Sequence, residues 1–324
     1  MLLKRFDDIL NEKKKTRYGT FAYFIERHGI LNEKGEYDFE HTIKLSDFKD
    51  SKKYVKDGKF TIKFGHITGQ FICSNLGLTS FENFPHTITG QLTAANNDFG
   101  NLIGIPKAKG YILYECGLTS LEGSPKSVDD GFLVSYNKEL KSLEGGPKVV
   151  GSAYRIDDCA ITGLKGSPIK INGFFTANGN KILTLQDMPT MINGHVDITG
   201  NDIRTLKDFV WSPNLSQFDI QKNPNLPTLY GIVKKDNIPS VGLLNMNPFS
   251  NDEDLICKTE LNFVTWTSDI NKETYWDELL DYAIKNGPED IIKIKWPIEF
   301  VEKIGNEKMK NLIKSGQGIN KYNI

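Results

Sequence analysis

Prolines recur along the middle of this chain at a nearly fixed interval. They stand at Pro85, Pro106, Pro125, Pro147, Pro168 and Pro189, with spacings of 21, 19, 22, 21 and 21 residues. No other feature restricts the fold as much. A unit of this size has too little apolar surface to fold alone, so it must stack on copies of itself. Apolar residues three apart accompany the prolines, as Leu78/Phe81, Phe99/Leu102, Leu118/Leu121, Leu140/Leu143, Ile161/Leu164 and Ile182/Leu185. Ile203/Leu206 follows before the register loosens at Pro213. Glycines at Gly69, Gly90, Gly110, Gly131, Gly151, Gly173 and Gly194 each precede a short alternating run.

Alternation with period two marks a strand with one inward and one outward face. Examples are Phe71/Cys73, Leu92/Ala94, Leu133/Ser135, Phe175/Ala177 and Val196/Ile198. The expectation is one strand and one turn per coil. The Leu pairs fill the interior of the next side, and Pro and Gly set the corners. Stacked coils then form an α/β repeat solenoid with a parallel β-sheet along one face. Asn75, Asn96, Asn137, Asn180 and Asn201 follow the strands, where a side-chain amide can satisfy backbone groups at the bend. Cys116 and Cys159 take the equivalent slot in their coils. Two coils separate these cysteines, roughly 10 Å at the usual strand spacing. That exceeds the reach of a disulfide.

Both ends read as helical. Residues 2–15 place Leu2, Leu3, Phe6, Ile9 and Leu10 on one side, and Phe21 to Arg27 forms a second short helix. From Asn251 the period is again helical, with Trp266, Trp276 and Trp296 expected in a helical core. The expected domains are a helical N-terminal cap over 1–35, the solenoid over 36–250 and a small α-helical C-terminal domain over 251–324.

The L-x-x-L-x-x-x-P pattern with N-x-L resembles leucine-rich repeats of the short bacterial type. Residues 29–48, GILNEKGEYDFEHTIKLSDF, and 60–75, FTIKFGHITGQFICSN, sharpen the match. Together with the later GLTSLEGSP copy, they are similar to leucine-rich-repeat-like proteins encoded by tailed bacteriophages. The resemblance implies a fold and a viral origin, and it carries no catalytic residues.

No nucleotide-binding, hydrolase or zinc motif stands in the chain, and no two of its five histidines have metal-ligand spacing, so no cofactor is expected. Some bacterial effectors join similar repeats to a ubiquitin-ligase domain with a Cys-x-Asp nucleophile. Here the residues two after Cys73, Cys116, Cys159 and Cys257 are Asn75, Leu118, Ile161 and Thr259, which excludes that chemistry. An enzyme within 251–324 would need a cleft built from groups such as Glu260, Asp269, Glu273 and Asp277. Forty basic and 41 acidic side chains leave a net charge of −1, which argues against a protein that coats nucleic acid. The basic start, with Lys13–Lys15, Arg17, Lys52, Lys53 and Lys56, is the segment through which nucleic acid would bind. Residues 1–59 carry 14 basic against 11 acidic side chains, a thin excess. No stretch approaches a membrane span, the first residues do not read as a secretory leader, and four cysteines are no disulfide framework. The cytoplasm, of a host if the chain is viral, is the expected location.

These exclusions leave a non-enzymatic scaffold with a protein partner, of host or phage origin, held by the sheet face or the C-terminal helices. By register from the glycines, the outward positions include Leu113, Val134, Tyr136, Arg155 and Asp157, with Tyr111, Phe132 and His195 flanking. Exposed aromatics beside an Arg are typical of protein interfaces. Tyr111, Leu113, Phe132, Val134, Tyr136, Arg155, Asp157 and His195 are therefore the candidate contact residues.

Overall fold

The computed structural model describes residues 19–206, 209, 212, 214–226 and 240–242. Of the expected elements, the helix over 2–15 and the domain over 251–324 lie outside the described residues. So do Lys13–Lys15, Arg17, Cys257 and the acidic residues between 260 and 277. The chain divides into two compact units, residues 1–160 with 166–171, and residues 161–165 with 172–324.

The first unit begins with a helix at Phe21–His28, one residue longer than the sequence suggests. Thr20 caps it by accepting the Tyr23 N–H at 3.2 Å. The Gly29 N–H closes the other end on the Ile25 carbonyl. The helix buries Phe21, whose ring lies 5.1–6.4 Å from those of Tyr54, Phe48, Phe64 and Phe39. An antiparallel hairpin, Ile30–Leu31 with Tyr37–Phe39, leads into the coils.

The coils then stack as a parallel β-solenoid. Strand Ile43–Lys44 pairs with Phe71–Ile72, which pairs with Gln91–Thr93. Next in order come Gly110–Ile112, Phe132–Leu133 and Tyr154–Arg155. In the second unit the parallel order is Phe175–Thr176, His195–Asp197, Gln217–Asp219 and Ser240–Gly242. Every Leu-pair residue from Leu78 to Leu206 is buried, at most 6 % exposed. Each such aliphatic side chain contributes roughly 1.5–3 kcal/mol by leaving water.

A second strand per coil departs from the expectation of one. It follows the proline: Thr87–Ile88, Ser127–Val128, Val149–Val150 and Lys170–Ile171 in the first unit, and Met191–Ile192 in the second. The cause is an apolar residue three after each proline. Ile88, Val128, Val150, Ile171 and Ile192 are at most 3 % exposed. The coil of Pro106 has Lys109 at that position, and there the ladder shrinks to a single bridge, Thr87 to Lys107.

The asparagine ladder exists with two members reassigned. Asn137 donates to the carbonyls of Leu113 (3.0 Å) and Val134 (2.6 Å) and accepts from the N–H groups of Cys116 and Leu118. Asn201 likewise bonds Ala177 and Ile198 and accepts from Ile182, and Asn180 occupies the same slot. Asn97, rather than Asn96, bonds Cys73, Ala94 and Leu78, and Asn223 extends the ladder. Asn75 and Asn96 instead hold the preceding position, with φ of 61° and 55°. That left-handed residue recurs as Glu115, Tyr136, Asp158, Gly179, Gly200 and Lys222. Cys116 and Cys159 do occupy the ladder slot, each pointing its Sγ at a carbonyl of the preceding coil, Ala94 at 3.1 Å and Val134 at 3.5 Å. Cys73, Cys116 and Cys159 are free and buried.

Candidate protein-binding face

The ladder slot fixes which strand residues face out. Three and five residues before each slot the side chain is in the core; two and four before it, the side chain lies on the outer side of the sheet, half-buried except at Ser135 and Thr176, which are covered. For the slot at Cys116 the buried pair is Tyr111 and Leu113. For Asn137 it is Phe132 and Val134, all four at most 1 % exposed. The assignment of these four to the outer face is therefore corrected. They are core residues, displaced by one from the glycine-based register. Gly90 precedes the inward Leu92 by two residues, whereas Gly110 precedes the inward Tyr111 by one, and Tyr111 pairs with Leu92. The Tyr111 hydroxyl confirms the inward placement, accepting from the Ala108 N–H and donating to the Pro106 carbonyl, both at 2.9 Å. Burial pushes its pKa up. Phe132 lies between Tyr111 and Tyr154, with ring centroids about 6 Å apart on each side.

The residues that do line the outer face of the first unit are Ile72, Thr93, Ile112, Leu133 and Arg155 in one row. Ser74, Ala95, Tyr114, Ser135 and Asp157 form the next. Arg155 and Asp157 are half-buried on this face, as the sequence suggests. Tyr136 is exposed at 46 %. Its ring meets Tyr114 edge-on at 6.1 Å, and the Lys138 ammonium sits 5.8 Å from it. Lys138 also pairs with Asp158 at 3.6 Å. The Asp157 carboxylate accepts from the Ser135 hydroxyl at 3.3 Å, and that hydroxyl accepts the Asp157 N–H at 3.0 Å. Burial raises the Tyr114 pKa, while Arg155 works in the opposite direction. Ile112, Tyr114 and Leu133 were missed, and counting back from the Asn/Cys slot finds them.

His195 belongs to the second unit. Its ring stacks on Phe174 at 4.9 Å. The outer face there is polar and bonded within itself. Asp197 accepts from Asn178 and Thr199, and Asp219 accepts from Gln217. Burial is the main cause of the raised Asp219 pKa, and neighbouring Asp197 adds to it.

The described cysteines are poor nucleophiles. Burial pushes the thiol of Cys116 up to about 12 and that of Cys159 up to about 11, and Cys73 is driven in the same direction. Among the described residues, no group of three or more His, Cys, Asp or Glu side chains is placed to hold a metal ion. No described helix is long and apolar enough to cross a membrane. The basic residues Lys52, Lys53 and Lys56 are exposed near the start of the first unit.

Set against family models, curated proteins and solved structures, the chain matches none of them.

Proposed function

We propose that this chain is a non-enzymatic leucine-rich-repeat scaffold of the kind encoded by tailed phages, holding a host or viral protein in the cytoplasm. The contact face is the outer sheet face of its first unit. The buried leucine pairs and the Asn/Cys ladder support the repeat type. The observation that carries the binding role is Tyr136. A bulky aromatic side chain is held in the left-handed region, φ 66°, at a position where the other coils place Asn, Asp, Glu, Lys or Gly. Such backbone costs roughly 1–2 kcal/mol and is retained where the side chain serves a purpose. Around that ring, Ile112, Tyr114, Leu133, Arg155 and Asp157 combine apolar area with a guanidinium and a carboxylate. This is the composition of an interface centre.

The test is capture of a partner from bacterial host lysate by the wild-type chain and by a Tyr136→Asn, Arg155→Ala variant. Relief of backbone strain, roughly 1 kcal/mol, and loss of the Tyr114 contact, roughly 0.5–1.5 kcal/mol, nearly cancel. The variant should melt within a few degrees of wild type. A partner band lost from the variant supports the face; a band retained at full strength overturns it.

A further inference from the structure

Two histidines that stand apart in the sequence meet in the fold. His28 is the last residue of the first helix, and His41 lies between strands Tyr37–Phe39 and Ile43–Lys44. Their ring centroids are 5.0 Å apart and the ring planes are nearly perpendicular, at 86°. Both residues are exposed, and both belong to the first unit.

Packing beneath each ring fixes where it stands. His28 rests on Phe24 at 4.8 Å, and Phe24 in turn lies 5.7 Å from Phe39 and 5.0 Å from Phe48. The Gly29 N–H closes the helix end on the Ile25 carbonyl at 2.8 Å. His41 is bracketed by Phe39 and Ile43, at most 1 % exposed, and the Ile43 N–H donates to the Gln70 carbonyl at 2.9 Å. The core therefore sets both backbone positions while the imidazoles stay in solvent. A pair of ligands held this way loses little on binding, because ordering loose side chains subtracts from affinity.

The separation suits one shared ion. An ion about 2.1 Å from a nitrogen of each ring, at a tetrahedral angle, leaves the ring centroids about 5 Å apart. Crossed planes keep the two rings clear of each other around it. The local charge agrees. His28 ends its helix, where the backbone carbonyls carry partial negative charge and favour a cation. The adjacent cation, Arg27, lies over the Tyr23 ring, 5.4 Å from its centroid.

We propose that His28 and His41 form a two-histidine site for a first-row divalent cation of borderline softness, such as Zn²⁺. Imidazole nitrogen suits such ions, whereas Mg²⁺ and Ca²⁺ take oxygen ligands. Two protein ligands leave the remaining coordination positions to water, so the ion is exchangeable and open to a donor from outside. The site shares no residue with the sheet face.

Isothermal titration of the full chain with zinc chloride, and separately with magnesium chloride, tests it in a buffer free of chelators. Zinc should bind one-to-one and saturate below about 1 mM, and magnesium should give no such isotherm. His28→Asn and His41→Asn should each weaken zinc at least about tenfold. The double variant should lose about as much as either alone, because one ring cannot chelate. Both side chains are exposed, so all three variants should melt within a few degrees of wild type. His195→Asn, in the second unit, should leave zinc affinity unchanged. The proposal falls if zinc does not saturate a site, if magnesium binds as tightly, or if either single variant keeps wild-type affinity. It also falls if the two substitutions act additively, as at two separate sites.

Discussion

Asn137 shows how much one side chain holds in this fold. Its amide serves two carbonyls and two N–H groups in adjacent coils, all in the buried interior. Asn137→Ala strands these groups at a cost of about 1–3 kcal/mol for each one that finds no other partner. The expected loss is on the order of 3 kcal/mol, read as a lower urea midpoint at unchanged slope. Cysteine can stand in the slot because its thiol still reaches a carbonyl, and the same burial makes it unreactive. Cys73, Cys116 and Cys159 should resist maleimide at pH 8 in the native chain and react once it is unfolded in urea, as followed by peptide mass mapping. The slot was legible in the sequence at Asn137, Asn180, Asn201, Cys116 and Cys159. It was misread at Asn96 because two asparagines adjoin there, and only the backbone tells which is left-handed and which is buried.

The proline corner with its Leu pair is the best-specified element. Leu140 and Leu143 are fully buried, and Leu143→Ala should cost about 2–5 kcal/mol in chemical unfolding, because neighbouring coils cannot close the void. The corners were readable because Pro and a three-residue Leu spacing survive in nearly every coil. The strands were harder to read. Each is two to four residues long, too short for alternation to declare its own phase, and the glycine chosen as a marker slides by a residue between coils. A slip of one exchanges the two faces of a strand, so Tyr111, Leu113, Phe132 and Val134 were assigned outward when they are core. The second strand after each proline escaped notice for a related reason. It shows one apolar residue per coil, which is a pattern only when coils are aligned with each other.

At the scale of the whole molecule, stability is distributed among nearest-neighbour coils rather than gathered in one centre. Removing residues 117–137 joins Cys116 to Lys138, slot to slot, and leaves every remaining contact type in place. That deletion should yield a folded chain with the same circular-dichroism signature and a lower, still cooperative melt. Removing only residues 117–127 puts a strand where a corner belongs, and should leave the chain unfolded or aggregated. The near-neutral total charge also acquires a meaning at this scale. A flat average conceals the pairing of Tyr114, Tyr136 and Arg155 on one face of the first unit, and composition alone does not reveal it.

The left-handed residue before each ladder slot has one more consequence. Asn75, Asn96, Glu115, Tyr136, Asp158, Gly179, Gly200 and Lys222 share a backbone state, yet their side chains are exposed or half-buried and chemically unlike one another. Because none of these side chains enters the interior, the positions can be rewritten one coil at a time, among residues that tolerate the left-handed backbone, without disturbing the core. The solenoid thus carries a row of interchangeable characters beside its sheet, and specificity for a new partner can be acquired by editing that row alone.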